Sequence, residues 1–309
     1  MSGSRRWALA PWDRGLMGGC CLLRRRSGRP AIPAGPANAS ALSRDVARWV
    51  PRGGRWTYLK LHAAQDRHDK LIAAFSRFAN DLERRGTAES WFFMRYADPA
   101  PHLRVRVRSS APNGQSDVLL AAVEWARQQA EGHAVREFSV DTYEPEIERY
   151  RGARGIRIAE QIFHGDSLAV SAVISGFCTG SVTCDPLVAT AFTLDRLLSA
   201  LRLGDEGKLQ LACLHQSSFN STAKYRERRA RLVALLRSVR EERGESEVEL
   251  LDDLCGSGLA RCRESAAAAA AALDEGKELV RPWSHVIDSL AHMHINRMVG
   301  IDRYYSPGL

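Results

Sequence analysis

Three stretches of the 309-residue chain carry side chains whose types and spacing suit chemistry. In 102–108, HLRVRVR, an extended backbone sends Leu103, Val105 and Val107 to one face and His102, Arg104, Arg106 and Arg108 to the other. Four potential cations on one strand face repel one another, so that face is either solvated or meets anions. Guanidinium groups offer a planar fork matched to carboxylate or phosphate. In 141–152, DTYEPEIERYRG, Pro145 suits the first turn of a helix, which would place Glu146 and Arg149 on one face. The spacing serves an ordinary surface ion pair, with Glu144 and Glu148 as solvated neighbours, as well as a carboxylate and cation held beside a reacting group. In 289–302, SLAHMHINRMVGID, His292 and Asn296 share a helical face, whereas His292 and His294 point to different sides and make a poor chelating pair. A histidine there is either a satisfied core residue or an acid–base group suited to neutral pH.

The elements that must position these residues follow from period and punctuation. Residues 55–62, RWTYLKLH, alternate as a strand. From 64 to 85, Leu71, Ile72, Phe75, Phe78, Ala79 and Leu82 recur three and four apart before Gly86, which predicts an amphipathic helix. Residues 91–96 and 102–108 read as strands joined by an Asp98-Pro99 turn, 116–130 as a helix entered through Ser116 and Asp117 and ended by Gly132, and 135–143 as a further strand. Beyond Glu146 the pattern is mostly helical. Asp185-Pro186 opens a helix closing at Gly204, Asn220/Ser221 caps a charged helix ending at Gly244, and 283–299 forms the last; the alanine run 266–272 reads as a plain helix face. Strands concentrated in the N-terminal half and helices in the C-terminal half predict an α+β unit, its sheet mixed or antiparallel.

Charge is uneven along the chain. Residues 1–55 hold eleven arginines against Asp13 and Asp45, so of the 44 basic and 36 acidic residues in all, 33 and 34 fall in 56–309. The basic character therefore belongs to a tail, and the body offers no broad cationic surface for nucleic acid. Residues 27–42, rich in Pro, Ala, Gly and Ser, read as a linker, which divides the chain into a disordered basic segment 1–55 and a folded unit 56–309. The seven cysteines form no C-x-x-C pair and no zinc-ligand spacing, the usage of reduced thiols in a cytoplasm. No run of about 18 apolar residues is present, and the short apolar stretch 15–23 has its basic cluster on the wrong side for a secretory signal. Phosphate-loop, dinucleotide, zincin and nucleophile-elbow motifs are all missing.

Taken together, Trp56-Thr-Tyr-Leu-Lys-Leu, Trp91-Phe-Phe-Met-Arg-Tyr, His102-Leu-Arg-Val-Arg, Tyr143-Glu-Pro-Glu-Ile-Glu-Arg-Tyr, Ala159-Glu-Gln-Ile-Phe-His-Gly-Asp-Ser and His292-Met-His-Ile-Asn-Arg resemble the thiopeptide-type bacteriocin biosynthesis domain. This is the C-terminal glutamate-elimination part of class I lantibiotic dehydratases, also found as a free-standing protein. The resemblance runs through six ordered motifs from about residue 56 to 305. It implies a lyase that removes glutamate from O-glutamylated Ser or Thr of a ribosomal precursor peptide, leaving dehydroalanine or dehydrobutyrine. A separate glutamyl-tRNA-dependent subunit would load the glutamate, so the implied partners are the precursor peptide and that subunit, with no direct nucleic acid, no membrane and no metal or organic cofactor. A homodimer stays open. The family's elimination residues, an R-x-R pair, an E-x-x-R pair and a C-terminal histidine, fall by motif on Arg104 and Arg106, Glu146 and Arg149, and His292. Arg104 and Arg106 would bind the glutamyl group and Arg149 the enolate or leaving group; Glu146 would orient Arg149 or accept a proton. Which of Glu146 and His292 takes the α-proton stays open. Where the family pattern has Tyr-Gly-Gly, this chain has Tyr150-Arg151-Gly152, an arginine at a glycine position of the turn.

A branch of the same family joins two dehydroalanines in a formal [4+2] cycloaddition that forms the thiopeptide pyridine core. The presence of all three polar motifs favours elimination over that reaction, and over a non-catalytic subunit that only docks the precursor.

Overall fold

A computed structural model describes residues 54–214, 230–231, 233–234, 246–274 and 283–300. The basic segment and linker expected before residue 54, and most of the charged helix expected from Asn220 to Gly244, lie outside them.

The N-terminal half forms β1 (Trp56–His62), α1 (His68–Arg84) after a 3-10 turn, β2 (Ala88–Tyr96), β3 (His102–Ser109), α2 (Gln115–Glu131) and β4 (Glu137–Asp141). The sheet is wholly antiparallel in the order β2-β3-β1-β4, the split β-α-β-β-α-β arrangement. Cross-strand register aligns Leu59, Val105 and Phe93, with Leu61 and Leu103, on one face. Those side chains are almost fully buried, as are Leu71, Ile72, Phe75 and Ala79 of α1 and Val118, Ala122 and Ala126 of α2, which cover that face. The apolar period of α1 therefore does what the sequence predicts. Helix α2 departs at its start: Gly114 is its N-cap, and Ser116 and Asp117 sit inside the first turn with no side-chain cap bond.

The helical half comprises α3 (Ala153–Thr179), α4 (Pro186–Ala200), α5 (Asp205–Leu214), α6 (Ser246–Asp274) and α7 (Trp283–Val299). Asp185 caps α4 as expected, accepting from the Leu187 N–H at 2.8 Å, with Pro186 at the first helical position. Helix α3 is the central element, packed on α1, β2, α6 and α7. By length and mean hydropathy it is the one helix among the described residues that can cross a membrane, yet 67% of its most apolar window is buried inside the fold. It approaches α6 so closely that a Cβ at Gly258 would lie 2.2 Å from the Gly165 carbonyl oxygen, which leaves room only for glycine at the crossing. Of the described cysteines, Cys184, Cys255 and Cys262 are buried and Cys178 and Cys213 exposed, all as free thiols.

Strand β2 is an edge strand, and side chains complete its ladder. The Trp91 N–H donates to His164 Nδ1 at 3.2 Å, the Phe93 N–H to Ser167 Oγ at 3.4 Å and the Arg95 N–H to Asn296 Oδ1 at 3.0 Å. In return Asn296 Nδ2 donates to the Arg95 carbonyl at 2.9 Å and Arg297 Nε to the Phe93 carbonyl at 3.0 Å. The buried backbone groups of the edge are thus satisfied by α3 and α7 rather than by another strand.

The helix expected from Pro145 does not form. Residues 147–151 make hydrogen-bonded turns, with the Arg149 N–H on the Glu146 carbonyl at 3.1 Å, and α3 begins only at Ala153. Arg151 and Gly152 both have left-handed φ values, +71° and +96°, which no α-helix tolerates in succession. The arginine thus occupies the conformation that the glycine of the family pattern would take without strain.

Candidate active site

The second sheet face carries the basic strand. Register places Tyr58 and Phe92 on either side of Arg106, Lys60 and Met94 beside Arg104, and Trp56 and Ser90 beside Arg108. The repulsion expected among four cations is relieved residue by residue. His102 Nε2 lies 3.1 Å from Arg104 Nε, a group that only donates, so the histidine nitrogen is an acceptor; its Nδ1 lies 2.8 Å from the Ala100 carbonyl. Burial, aided by Arg104, His62 and Lys60, holds its pKa below the ordinary histidine value. Arg108 faces Glu89 at 3.7 Å. Lys60, across from Arg104, pairs with Asp141.

Arg104 and Arg106 are left without a carboxylate within ion-pair distance among the described residues. Arg104 lies flat on the Tyr96 ring, 3.4 Å from its centroid. Arg106 is only 7% exposed, wedged among Tyr58 (4.4 Å), Tyr143 (4.8 Å) and Phe92 (5.1 Å). Among the described residues its one hydrogen bond runs from a terminal nitrogen to Met94 sulfur at 3.9 Å, and its Nε has none. Ring faces partly offset a buried guanidinium, but an anion is what such a group lacks. The fully solvated outer face that the strand pattern allowed is therefore not what forms: aromatic rings, Tyr143 among them, cover Arg106, and Arg104 and Arg108 are half-buried.

Behind Arg106, the Tyr143 hydroxyl neighbours the Glu160 carboxyl of α3. Burial outweighs the influence of Tyr143, Arg108, Arg106 and Arg157, and pushes Glu160 up to about 7. From Tyr143 the chain runs directly into the turn bearing Glu146 and Arg149. These two form an ion pair at 3.0 Å, and Arg149 Nε donates to Ser289 Oγ of α7 at 3.2 Å. The i,i+3 proximity predicted from a helix is met by a turn. Ser289 and His292 are themselves three apart on α7, so His292 stands one helical turn beyond the Arg149 contact, on an exposed position.

The family model for the lantibiotic biosynthesis dehydratase C-terminal region matches residues 56–306. The chain belongs to that family. The subtilin biosynthesis protein SpaB of Bacillus subtilis is 29% identical over 264 residues, 80% of this chain but 24% of SpaB. The nisin biosynthesis protein NisB of Lactococcus lactis subsp. lactis is 29% identical over 117 residues, 36% of this chain and 11% of NisB. The crystal structure of the tRNA-dependent lantibiotic dehydratase MibB from Microbispora sp. 107891 shares the fold, with a TM-score of 0.65 at 21% identity over 80% of this chain and 26% of MibB. The chain thus spans about a quarter of SpaB's length and less of NisB's.

Within this dehydratase C-terminal domain, contacts run from Arg106 through Tyr143 to the Glu146–Arg149 turn and on to Ser289. The other residues of the last motif have structural work. His294 is buried, with Nδ1 2.6 Å from Asp166 and Nε2 2.9 Å from Thr193 Oγ1. The arrangement has the outline of a nucleophilic triad, but Thr193 is 1% exposed and its hydroxyl lies 2.9 Å from the Ala189 carbonyl, so no substrate reaches it. Asn296, expected beside His292, turns inward to the β2 edge. Sequence reasoning missed Tyr58, Tyr96 and Tyr143 as the cradle of the arginines, Glu160 behind them and Ser289 as a partner of Arg149. All three tyrosines lie in the motifs that carry the resemblance; strand register places Tyr58 and Tyr96 on the arginine face, and Tyr143 reaches Arg106 from beyond β4.

Proposed function

We propose that the domain eliminates glutamate from O-glutamylated serine or threonine of a ribosomal precursor peptide. The observation that carries this reading is the Arg104/Arg106 pair: two guanidiniums on one strand face with no carboxylate within ion-pair distance among the described residues, one of them buried. The glutamyl group supplies what they lack, a side-chain carboxylate. In the reaction a base removes the residue's α-proton, the electron pair forms the Cα–Cβ double bond, and the Cβ–O bond breaks to release glutamate as a carboxylate. The proton ends on the base. A peptide α-carbon is a poor acid, so preorganised positive charge at the developing enolate is worth a few kcal/mol, roughly the scale of one oxyanion-hole donor. Arg149, held between Glu146 and Ser289, suits that position. Glu146 and His292 are the candidate bases, His292 standing at an exposed position of α7 one turn from Ser289.

MibB is described as tRNA-dependent, and this chain matches about a quarter of it. This supports placing the glutamyl-tRNA-dependent step on a partner, as does the near-balance of charge in residues 56–309. Mass spectrometry of a leader-bearing peptide with one O-glutamyl serine, incubated with the full chain, tests the reading. The expected result is loss of glutamate and appearance of dehydroalanine, with Arg104→Ala and Arg149→Ala accumulating glutamylated peptide. Product at the wild-type rate from either variant refutes the assigned roles. Turnover of a peptide carrying two dehydroalanines, with leader release and no action on the glutamylated one, replaces elimination with cycloaddition.

A further inference from the structure

His102 counts as a fourth cation in the strand pattern, yet its surroundings give it another task. Its ring stacks between His62 (centroids 5.0 Å apart) and Tyr96 (5.3 Å), and the same Tyr96 ring supports the Arg104 guanidinium. The Ala100 carbonyl fixes the proton on Nδ1, which leaves the Nε2 lone pair for Arg104 Nε. Arg104 is thus held through its inner nitrogen and its ring-facing plane, and the two terminal nitrogens, the edge that binds a carboxylate in bidentate fashion, are left for a ligand.

We propose that His102 is a positioning residue: its neutral Nε2 holds the Arg104 guanidinium flat on Tyr96 with the terminal nitrogens presented to the glutamyl carboxylate, and protonation of the ring releases that hold. The proposal rests on the reading of Arg104 as a glutamyl-binding residue. A protonated ring would set an N–H against an N–H and a second charge beside the guanidinium. The groups around it oppose that proton: Arg104 on its own strand, His62 and Lys60 on β1, and His68 of α1, which also feels His102. Tyr96 on β2 offers it a ring face, and Asp141 of β4 is paired with Lys60. Arg104 therefore stays oriented at neutral pH and is released only in acid, below the usual histidine range. The acid limb falls on KM, because orientation of the carboxylate clamp, not the proton transfer, is what changes.

Two measurements on the full chain test this. In side-chain NMR of protein labelled with nitrogen-15 histidine and arginine, His102 is expected as the Nδ1–H tautomer at pH 7, with the Arg104 Nε–H resonance moving when His102 titrates. In kinetics on the O-glutamyl-serine peptide, His102→Leu is expected to raise KM on the order of tenfold to a hundredfold, the loss of one hydrogen bond to a charged group, with kcat little changed. His102→Gln, whose amide oxygen accepts without titrating, is expected to recover most of that loss and to lack the acid limb in KM. A Gln variant as impaired as the Leu variant, an acid limb that persists in it, or an Nε2–H tautomer at pH 7 overturns the proposal. Wild-type protein with the expected tautomer and coupled Arg104 titration that nonetheless removes no glutamate upholds the positioning and overturns the glutamyl reading instead.

Discussion

Replacing Asp166 by asparagine keeps the side chain's shape and removes its charge, which isolates the electrostatic part of the core. The carboxylate is 1% exposed, with Oδ1 2.6 Å from His294 Nδ1 and Oδ2 2.7 Å from an Arg297 terminal nitrogen. Arg297 is equally buried, so Asp166→Asn strands a guanidinium away from water. Breaking a buried pair in this way costs about 3–5 kcal/mol, against a total stability of roughly 5–15 kcal/mol for a folded domain. At a slope of roughly 3 kcal/mol per molar urea, the unfolding midpoint is expected to fall by about 1–2 M. Tryptophan fluorescence reports it, since Trp56 and Trp91 lie in the core. Asp166→Asn combined with Arg297→Met should lose less than the sum of the two single changes, because the second removes the stranded charge. Burial pushes the Asp166 carboxyl up, but His294 and Arg297 outweigh it and hold it below the ordinary aspartate value. Its stabilising contribution is therefore present above the unfolded pKa and is lost as pH falls through the folded one, below about 4. A loss under about 1 kcal/mol for Asp166→Asn, or strict additivity in the double variant, refutes the charge-pair account.

Glu160 behaves in the opposite sense. Its folded pKa of about 7 lies above the unfolded value, so stability falls as pH rises from about 4.5 to 7, by about 3 kcal/mol at most. Glu160→Gln is expected to flatten that stretch of the pH–stability profile, measured by urea denaturation at pH 5 and 7.5; an unchanged slope places its titration elsewhere. Asn296→Ala leaves the Arg95 N–H and carbonyl without their edge partner and is expected to cost about 2–4 kcal/mol, on the scale of 1–3 for each unsatisfied buried group. Hydrogen exchange at the Arg95 amide is the direct measure, and protection equal to wild type contradicts the edge-capping role.

Much of the site is legible in the chain because strand alternation is a local property. The pattern HLRVRVR assigns Arg104 and Arg106 to one face without knowledge of any neighbour. What that face meets depends on register, which aligns Tyr58 and Phe92 with Arg106 from strands 48 and 14 residues away. In the strand pattern His102 reads as a cation because its type is visible there and its acceptor role is not. Helical spacing predicts Glu146 and Arg149 side by side, and they are, but through a turn: a turn brings residues three apart together as a helix does, and the left-handed Arg151 and Gly152 decide between them. The histidines of α7 show the same limit. Helical period separates His292 from His294 but cannot say which faces inward. That choice is made by Asp166, 128 residues away.

This division of labour within one motif ties a buried ionic cluster to the candidate site. Arg297 and Asn296 tie α7 to the edge of β2, and β2 is hydrogen-bonded directly to β3, the strand carrying Arg104 and Arg106. The same helix presents Ser289 to Arg149. A rigid helix fixed at its C-terminal end by hydrogen bonds to a strand edge fixes the positions one and two turns earlier as well, at 1.5 Å of rise per residue. The guanidinium pair on the sheet and the Glu146–Arg149 turn are therefore held in one frame through a strand edge. A well-packed apolar replacement of Asp166 and Arg297 could match the stability of the ion pair. It would not replace the bond from Arg297 to the Phe93 carbonyl, and with that bond goes part of what holds Ser289 and His292 in place relative to the arginines.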